Sequence, residues 1–245
     1  MTGRVEAVYG DEGRRFAWAS VTKLATSVAM LVAAEEGLVD LDEAAGPPDS
    51  TFRHLLAHAS GLPFQGGAPI ARPGQRRIYS NAAFDVAADL VAERAELPFA
   101  EYAAAVWRGT GITLDGPAGS GMTGTLADLL ELARELQSPD RLAPETLAEA
   151  CSVQFPGLEG VLPGFGRQEP NDWGLGIELR DGKSPHWTGA QNSQATFGHF
   201  GRSGTFLWVD PEAGIALACL TDKAFGDWAS TAWPLLADAV LAELS

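Results

Sequence analysis

The sequence predicts an α+β fold: an antiparallel β-sheet built from both chain ends, flanked by helices, with an all-helical region inserted between them. Three observations predict it. Strand-like patterns fall at the two ends of the 245-residue chain, at 5–9 and again at 173–179, 196–201, 205–209 and 215–220. Helical patterns fill the middle. Breaker clusters, Gly46-Pro47-Pro48 and a stretch of five prolines across 138–170, mark where one kind of pattern gives way to the other. The implied division is a sheet region of 1–45 and 160–245 and a helical region of 46–159, together forming one intertwined unit.

Taken in order, Val5-Glu6-Ala7-Val8-Tyr9 has strand character, and Gly10-Asp11-Glu12-Gly13 supplies turn chemistry for a hairpin into Phe16-Ala17-Trp18. The uncharged run 24–34 is apolar nearly all round, as a helix through a core should be, and extends a helix from Ser20 to about Glu36. Gly37 stops it, because glycine tolerates the left-handed conformation of a helix end. Ser50 or Thr51 caps a short helix through Leu55-Leu56, and a Gly/Pro-rich loop follows over 63–74. The pattern at 82–95 is amphipathic, and Thr125-Leu126-Ala127-Asp128 resembles a capping box for a helix reaching Leu136. Across 138–170 the prolines leave room for one short helix at 144–151. Thr205–Val209 and Ile215–Leu220 flank the turn Asp210-Pro211-Glu212-Ala213-Gly214, and a helix over roughly 228–244 closes the chain.

The first helix carries a chemical arrangement. Ser20 and Lys23 are three residues apart, so on a helix they share a face. A serine at a helix N-terminus sits where backbone N–H groups and the dipole favour a developing anion. A lysine in the first turn, facing the core, is disfavoured as a cation by desolvation and by that dipole. The expected result is a lysine of lowered pKa, able to accept a proton from Ser20 or to tune a partner that does. The alternative is an N-capping serine and a lysine snorkelling to the surface.

Composition narrows the function classes. Lys and Arg number 17 against 32 Asp and Glu, a net charge of −15 that repels nucleic-acid phosphate and anionic membranes, so neither is an expected partner. The 24–34 run is shorter than the ~20 residues of a membrane span, and no signal peptide is read in Met1-Thr2-Gly3-Arg4-Val5, so the expected location is cytoplasmic. Cys151 and Cys219 form neither a disulfide framework nor a metal knuckle. His54 and His58 are four apart, but no Glu completes a His-Glu-x-x-His and no third ligand is evident, so structural hydrogen bonding is expected rather than zinc. His186 and Trp187 sit in a polar loop, at a pocket rim or on the surface. No metal or cofactor is implied.

Three ordered stretches, Ser20-Val21-Thr22-Lys23, Tyr79-Ser80-Asn81 and His199-Phe200-Gly201, resemble the motifs of the serine β-lactamase and penicillin-binding-protein superfamily. The Tyr-x-Asn form of the second is similar to the class C β-lactamase-like branch, with its family VIII esterases and D-Ala-D-Ala peptidases. His54-Leu55-Leu56-Ala57-His58-Ala59-Ser60-Gly61-Leu62-Pro63, Trp173-Gly174-Leu175-Gly176 and the 198–211 segment extend the likeness over roughly 16–222. The resemblance implies a β-lactamase/transpeptidase-like fold and one catalytic unit. It implies Ser20 as acylated nucleophile, Lys23 as its proton partner, and Tyr79 as a base held as phenolate by neighbouring cations. Asn81 would hydrogen-bond the substrate amide or the lysine, and His199 would edge the site. The N–H groups of Ser20 and Arg202 would form an oxyanion hole, with Gly201 letting the backbone approach the substrate.

Two departures bear on substrate. Phe200 stands where relatives carry Thr, which removes a hydroxyl that helps bind the substrate carboxylate; Arg202 is the nearby replacement charge. Only nineteen residues precede Ser20, where relatives have an additional helix and longer lead-in, so a narrower sheet or pairing with another copy, as a homo-oligomer, is expected. The expected activity is that of a serine hydrolase on small ester, β-lactam or peptide substrates, esters first. The alternative is a non-catalytic penicillin-binding-like binding or regulatory module.

Overall fold

The computed structural model describes residues 4–244; Met1, Thr2 and Gly3, on which the reading of no signal peptide partly falls, and Ser245 lie outside them. The chain runs β1 (Phe16–Ala17), a 3₁₀ turn (Ala19–Val21), α1 (Thr22–Glu35), α2 (Phe52–Leu56), α3 (Asn81–Ala95), α4 (Phe99–Val106), β2 (Thr113–Leu114), β3 (Met122–Gly124), α5 (Leu126–Gln137) and α6 (Pro144–Ala150). It continues with β4 (Gly160–Leu162), β5 (Gly166–Gln168), β6 (Glu178–Leu179), β7 (Phe197–Phe200), β8 (Phe206–Asp210), β9 (Ile215–Cys219) and α7 (Asp227–Leu244). The mixed α and β class with antiparallel sheets flanked by helices is the one expected from sequence.

The source of the strands is different. The four-stranded sheet β6-β7-β8-β9 takes all its strands from 178–219. Residues 5–9 form no strand; Tyr9 is fully exposed. The N-terminal contribution is β1, which pairs with β3 in a small sheet β1-β3-β2 and so ties the N-terminus to the helical region. That region is therefore not all-helical, and the 160–168 hairpin β4-β5 also interrupts the loop expected there.

Alternation along β8 explains how the sheet is covered. Leu207 and Val209 join the larger core with α1 and α5 residues, while Phe206 and Trp208 join a second, aromatic core against Trp233 and Ala237 of α7. α1 is the central element, buried at every position from Thr22 to Leu31. Of the strand expected at 173–179 only Glu178–Leu179 forms, as β6; before it the chain makes a tight reversal, with Gly174 N–H donating to the Ile177 carbonyl at 2.9 Å. A Cβ on Gly176 would lie 1.7 Å from Ser27 Oγ, so this backbone presses directly onto α1. Among the described residues no helix is long and apolar enough to cross a membrane.

Candidate active site

Ser20 lies in the 3₁₀ turn just before α1, not at the α-helical N-cap, which is Val21. The turn is held from both sides. Trp18 is fully buried; its N–H donates to the Met122 carbonyl at 2.9 Å, and its own carbonyl accepts from Val21 N–H at 3.1 Å and Thr205 Oγ1 at 2.9 Å. Ala19 takes φ +47°, a left-handed conformation costly for alanine and typical of constrained functional turns. Gly201, at the end of β7, faces the same turn. A Cβ there would meet the Trp18 carbonyl at 2.5 Å, so glycine is what lets β7 abut the Ser20 turn. The close approach made by Gly201 in this structure is to chain, and Arg202 beyond it is exposed at the cleft mouth.

Lys23 is fully buried in the first turn of α1, so the surface-snorkelling alternative does not hold. Its Nζ donates to Asn81 Oδ1 at 2.5 Å and to the Gly119 carbonyl at 2.7 Å. Burial brings its pKa down to about 7, and the Asp85 carboxylate opposes part of that fall. Asn81 opens α3, where Ser80 is the N-cap, accepting from Ala83 N–H. The Ser80 hydroxyl also donates to the Pro63 carbonyl at 2.6 Å, and Asn81 N–H donates to the Phe64 carbonyl at 2.8 Å.

Tyr79, one residue before that cap, places its ring 4.7 Å from Lys23 Nζ and its hydroxyl 3.4 Å from His199 Nε2. His199 Nδ1 donates to the Phe200 carbonyl at 2.7 Å, since a carbonyl only accepts; Nε2 therefore carries the lone pair that accepts from Tyr79. Burial and the Lys23 charge push His199 down to about 3, so it is neutral near neutral pH. Burial pushes Tyr79 well above its ordinary value, and the Ser20 side chain, within hydrogen-bonding reach, offsets part of this. The expected resting phenolate is thus corrected: the ammonium sits over the ring rather than at the oxygen, His199 brings no charge, and the phenol stays protonated.

Seven sequence candidates, Ser20, Lys23, Tyr79, Asn81, His199, Gly201 and Arg202, thus gather at one place. Sequence reasoning missed Gly119, whose carbonyl is one of the two Lys23 acceptors. A Cβ there would lie 3.1 Å from Asn81 Oδ1 and 3.3 Å from Lys23 Nζ. The only signal was the Gly/Pro-rich run 116–121, which marks a loop without saying what it approaches. Also unforeseen is Glu178, buried in the cleft wall.

His186 and Trp187, expected at a rim or surface, are buried and bind Glu178 Oε2 at 2.9 and 3.0 Å. Lys183 Nζ donates to Glu178 Oε1 and to the carbonyls of Leu179 and Asp172. Burial alone would raise the Glu178 carboxyl, but the Lys183 charge, with His186, brings it down to about 2. Removing one member of such a pair leaves a bare buried charge. Lys183→Met is therefore expected to lower unfolding stability by about 3–5 kcal/mol in urea titrations at pH 7. Because the folded pKa is depressed, the stability from Glu178 is present above the ordinary carboxylate range and is lost as pH falls from there toward 2.

His54 completes a capping box with Thr51 at the start of α2 and stacks on Phe155 at 4.1 Å; His58 is bound to Ser80. Among the described residues no cluster suited to a metal occurs. Ser20, Tyr79 and His199 open onto a cavity of about 810 Å³. Leu162, Phe200 and Phe225 form an apolar wall, and Phe64, Ile70 and Val161 stand exposed at the mouth.

A family model described as "Beta-lactamase" matches residues 5–108 and 102–241. The chain is similar to the crystal structure of a β-lactamase from Mycobacterium bovis, at 52% identity and TM-score 0.96, over 98% of this chain and 90% of that one. It shares its fold with unliganded simvastatin synthase (LovD) from Aspergillus terreus, at 20% identity and TM-score 0.76, covering 95% and 85%. The same fold is seen in EstCE1, a hydrolase with promiscuous acyltransferase activity, at 18% identity and TM-score 0.74, covering 94% and 86%. No curated protein matches the chain.

Proposed function

This chain belongs to the β-lactamase family, and from that premise we propose that it is a serine hydrolase working through an acyl-enzyme on Ser20, with apolar esters its first substrates. The observation that carries this reading is Lys23: fully buried, at about 7, with its ammonium stem locked between Asn81 and Gly119. A neutral amine has two N–H groups and one lone pair. The two acceptors engage both N–H groups and leave the lone pair uncommitted. A binding module has no need of a lysine whose charge is disfavoured by such complete burial.

In this mechanism Ser20 Oγ attacks the substrate carbonyl carbon. Its proton goes to the lone pair of the Lys23 amine, the group of the cluster basic enough to hold it near neutral pH, while the Tyr79 hydroxyl interacts with Ser20 and holds it for attack. The oxyanion lies against the N–H groups of Ser20 and Arg202, on the two segments that Gly201 brings together. Collapse breaks the carbonyl–oxygen bond of the ester, and the departing alcohol takes the proton back. Water then repeats the sequence, releasing the acid and restoring Ser20. Asn81 acts in it by holding Lys23, and His199 by accepting from Tyr79.

The apolar wall supports esters over β-lactams and D-Ala-terminated peptides. Phe200 offers no hydroxyl to a carboxylate, and its ring instead packs on Phe225 at 5.0 Å and Phe165 at 5.7 Å. Each methylene buried against such a wall is worth ~0.8 kcal/mol, or about fourfold in kcat/KM. A p-nitrophenyl ester series from acetyl to octanoyl is expected to rise by about that factor per methylene, and nitrocefin is expected to turn over more slowly than the butyrate. A flat series, or nitrocefin well ahead, would reverse the substrate order. Intact-mass detection of a fluorophosphonate adduct tests the enzyme reading itself.

A further inference from the structure

We infer that His58 is a positioning residue for Tyr79, an assignment that rests on the acyl-enzyme reading above. His58 lies just beyond α2 and is fully buried. Its carbonyl accepts from Ile78 N–H at 2.9 Å, and its Nδ1 accepts from Ser80 N–H at 3.2 Å. Residue 58 therefore fixes the backbone on both sides of Tyr79. Its ring also packs on the Tyr79 ring, with centroids 4.8 Å apart, and meets Trp173 edge-on at 4.7 Å; Trp173 in turn lies 5.7 Å from Tyr79.

The backbone sits at φ +56°, a left-handed conformation in which histidine, asparagine and aspartate are enriched. One cost at this residue argues against simple space-filling. Accepting at Nδ1 puts the ring proton on Nε2, and that N–H is buried with no hydrogen-bond partner among the described residues. An apolar residue would avoid that cost while filling the same volume. It would lose the acceptor that holds Ser80. Burial, aided by the Lys23 charge, keeps the ring neutral, as acceptance at Nδ1 requires.

The geometry needs Tyr79 aligned with Ser20 and His199 to within a fraction of an ångström, and a displacement near 1 Å costs about 10²-fold in rate. His58→Gly removes the ring and keeps the left-handed backbone and its carbonyl. Fluorophosphonate labelling at Ser20, followed by intact mass, counts the competent fraction, and p-nitrophenyl butyrate kinetics are expressed per labelled site. The expected result is kcat lower by about 10²-fold with KM within about twofold. Tyr79→Phe alone is expected to lose about 10²-fold, and the double variant no more than about threefold beyond that, because His58 acts through the lost hydroxyl. His58→Asn, which tolerates positive φ and offers Oδ1 to Ser80 N–H, is expected to recover kcat to within about tenfold of the parent.

Wild-type kcat in His58→Gly, losses that multiply with Tyr79→Phe, or no recovery in His58→Asn would overturn the assignment. If His58→Gly yields no labelled protein, the Asn variant decides alone, and a loss beyond about tenfold there counts against it. A parent protein that never labels at Ser20 would overturn the hydrolase reading, and this assignment with it.

Discussion

Ser20→Ala is expected to form no fluorophosphonate adduct and to lose at least about 10⁴-fold in p-nitrophenyl ester turnover, while folding as the parent does. The expectation follows from where the strain lies. Ala19 carries the left-handed φ, and Trp18 carries the bonds to Met122, Val21 and Thr205; the Ser20 hydroxyl bears none of that framework. Removing it deletes one hydroxyl from the cleft and leaves Lys23 bound to Asn81 and Gly119. The melting temperature should therefore change little, which separates loss of chemistry from loss of structure. The apolar wall of Leu162, Phe200 and Phe225 offers no replacement nucleophile, and the Glu178 carboxylate in the same cleft is held by Lys183, His186 and Trp187. An adduct of unchanged mass and yield in Ser20→Ala would place the nucleophile elsewhere. Turnover retained without an adduct would point to direct attack by water.

The parts legible in sequence were those set by local periodicity or capping. The three-residue spacing of Ser20 and Lys23 puts them together because a helix turn is nearly that long, even though a 3₁₀ turn carries the serine. The start of α5 was legible for a similar local reason: Thr125 accepts a bond from the N–H three residues on. What failed was long-range. Residues 5–9 alternate like a strand, but a strand exists only with a partner, and the structure pairs Phe16–Ala17 with β3 instead. The Trp173-Gly174-Leu175-Gly176 stretch alternates too, yet its glycines serve backbone contact with Ala150 and Ser27. α4 went unread because Phe99–Val106 is only about two turns long, too short for its periodicity to stand out. Gly119 and the double hold of His58 on Tyr79 join residues 96 and about 20 apart in sequence, through a carbonyl and a ring nitrogen. No spacing rule reaches such bonds. The phenolate expectation failed on desolvation, which raises the Tyr79 pKa once the ring is fully enclosed.

Lys23→Met is expected to lower acylation by about 10² or more and to abolish an acid limb centred near pH 7 in the kcat/KM profile. The limb can be assigned because the other groups of the cluster titrate elsewhere. His199 falls to about 3, His58 lies well below the usual histidine range, and Tyr79 lies well above the usual tyrosine range. Within Ser20, Lys23, Tyr79 and His199, Lys23 alone changes charge near neutrality. Protonation below about 7 removes the lone pair, so the rate must fall as pH falls. Lys23→Arg separates a base from a mere positive charge, since guanidinium stays protonated throughout. If Arg supports near-parental acylation, Lys23 acts as a charge and not as a proton acceptor. The same shift predicts a stability signature of definite sign. Between about 7 and the ordinary lysine range, the unfolded chain holds a proton that the folded one does not, so folding grows more favourable as pH rises through that window. Below about 7 both states are protonated, and the cost of the buried charge is present in full. Urea midpoints of the parent should therefore rise from pH 7 to 10 relative to those of Lys23→Met. A parent and variant that run parallel across that range would mean Lys23 is an ordinary ammonium, and the proton-transfer role would fall with it.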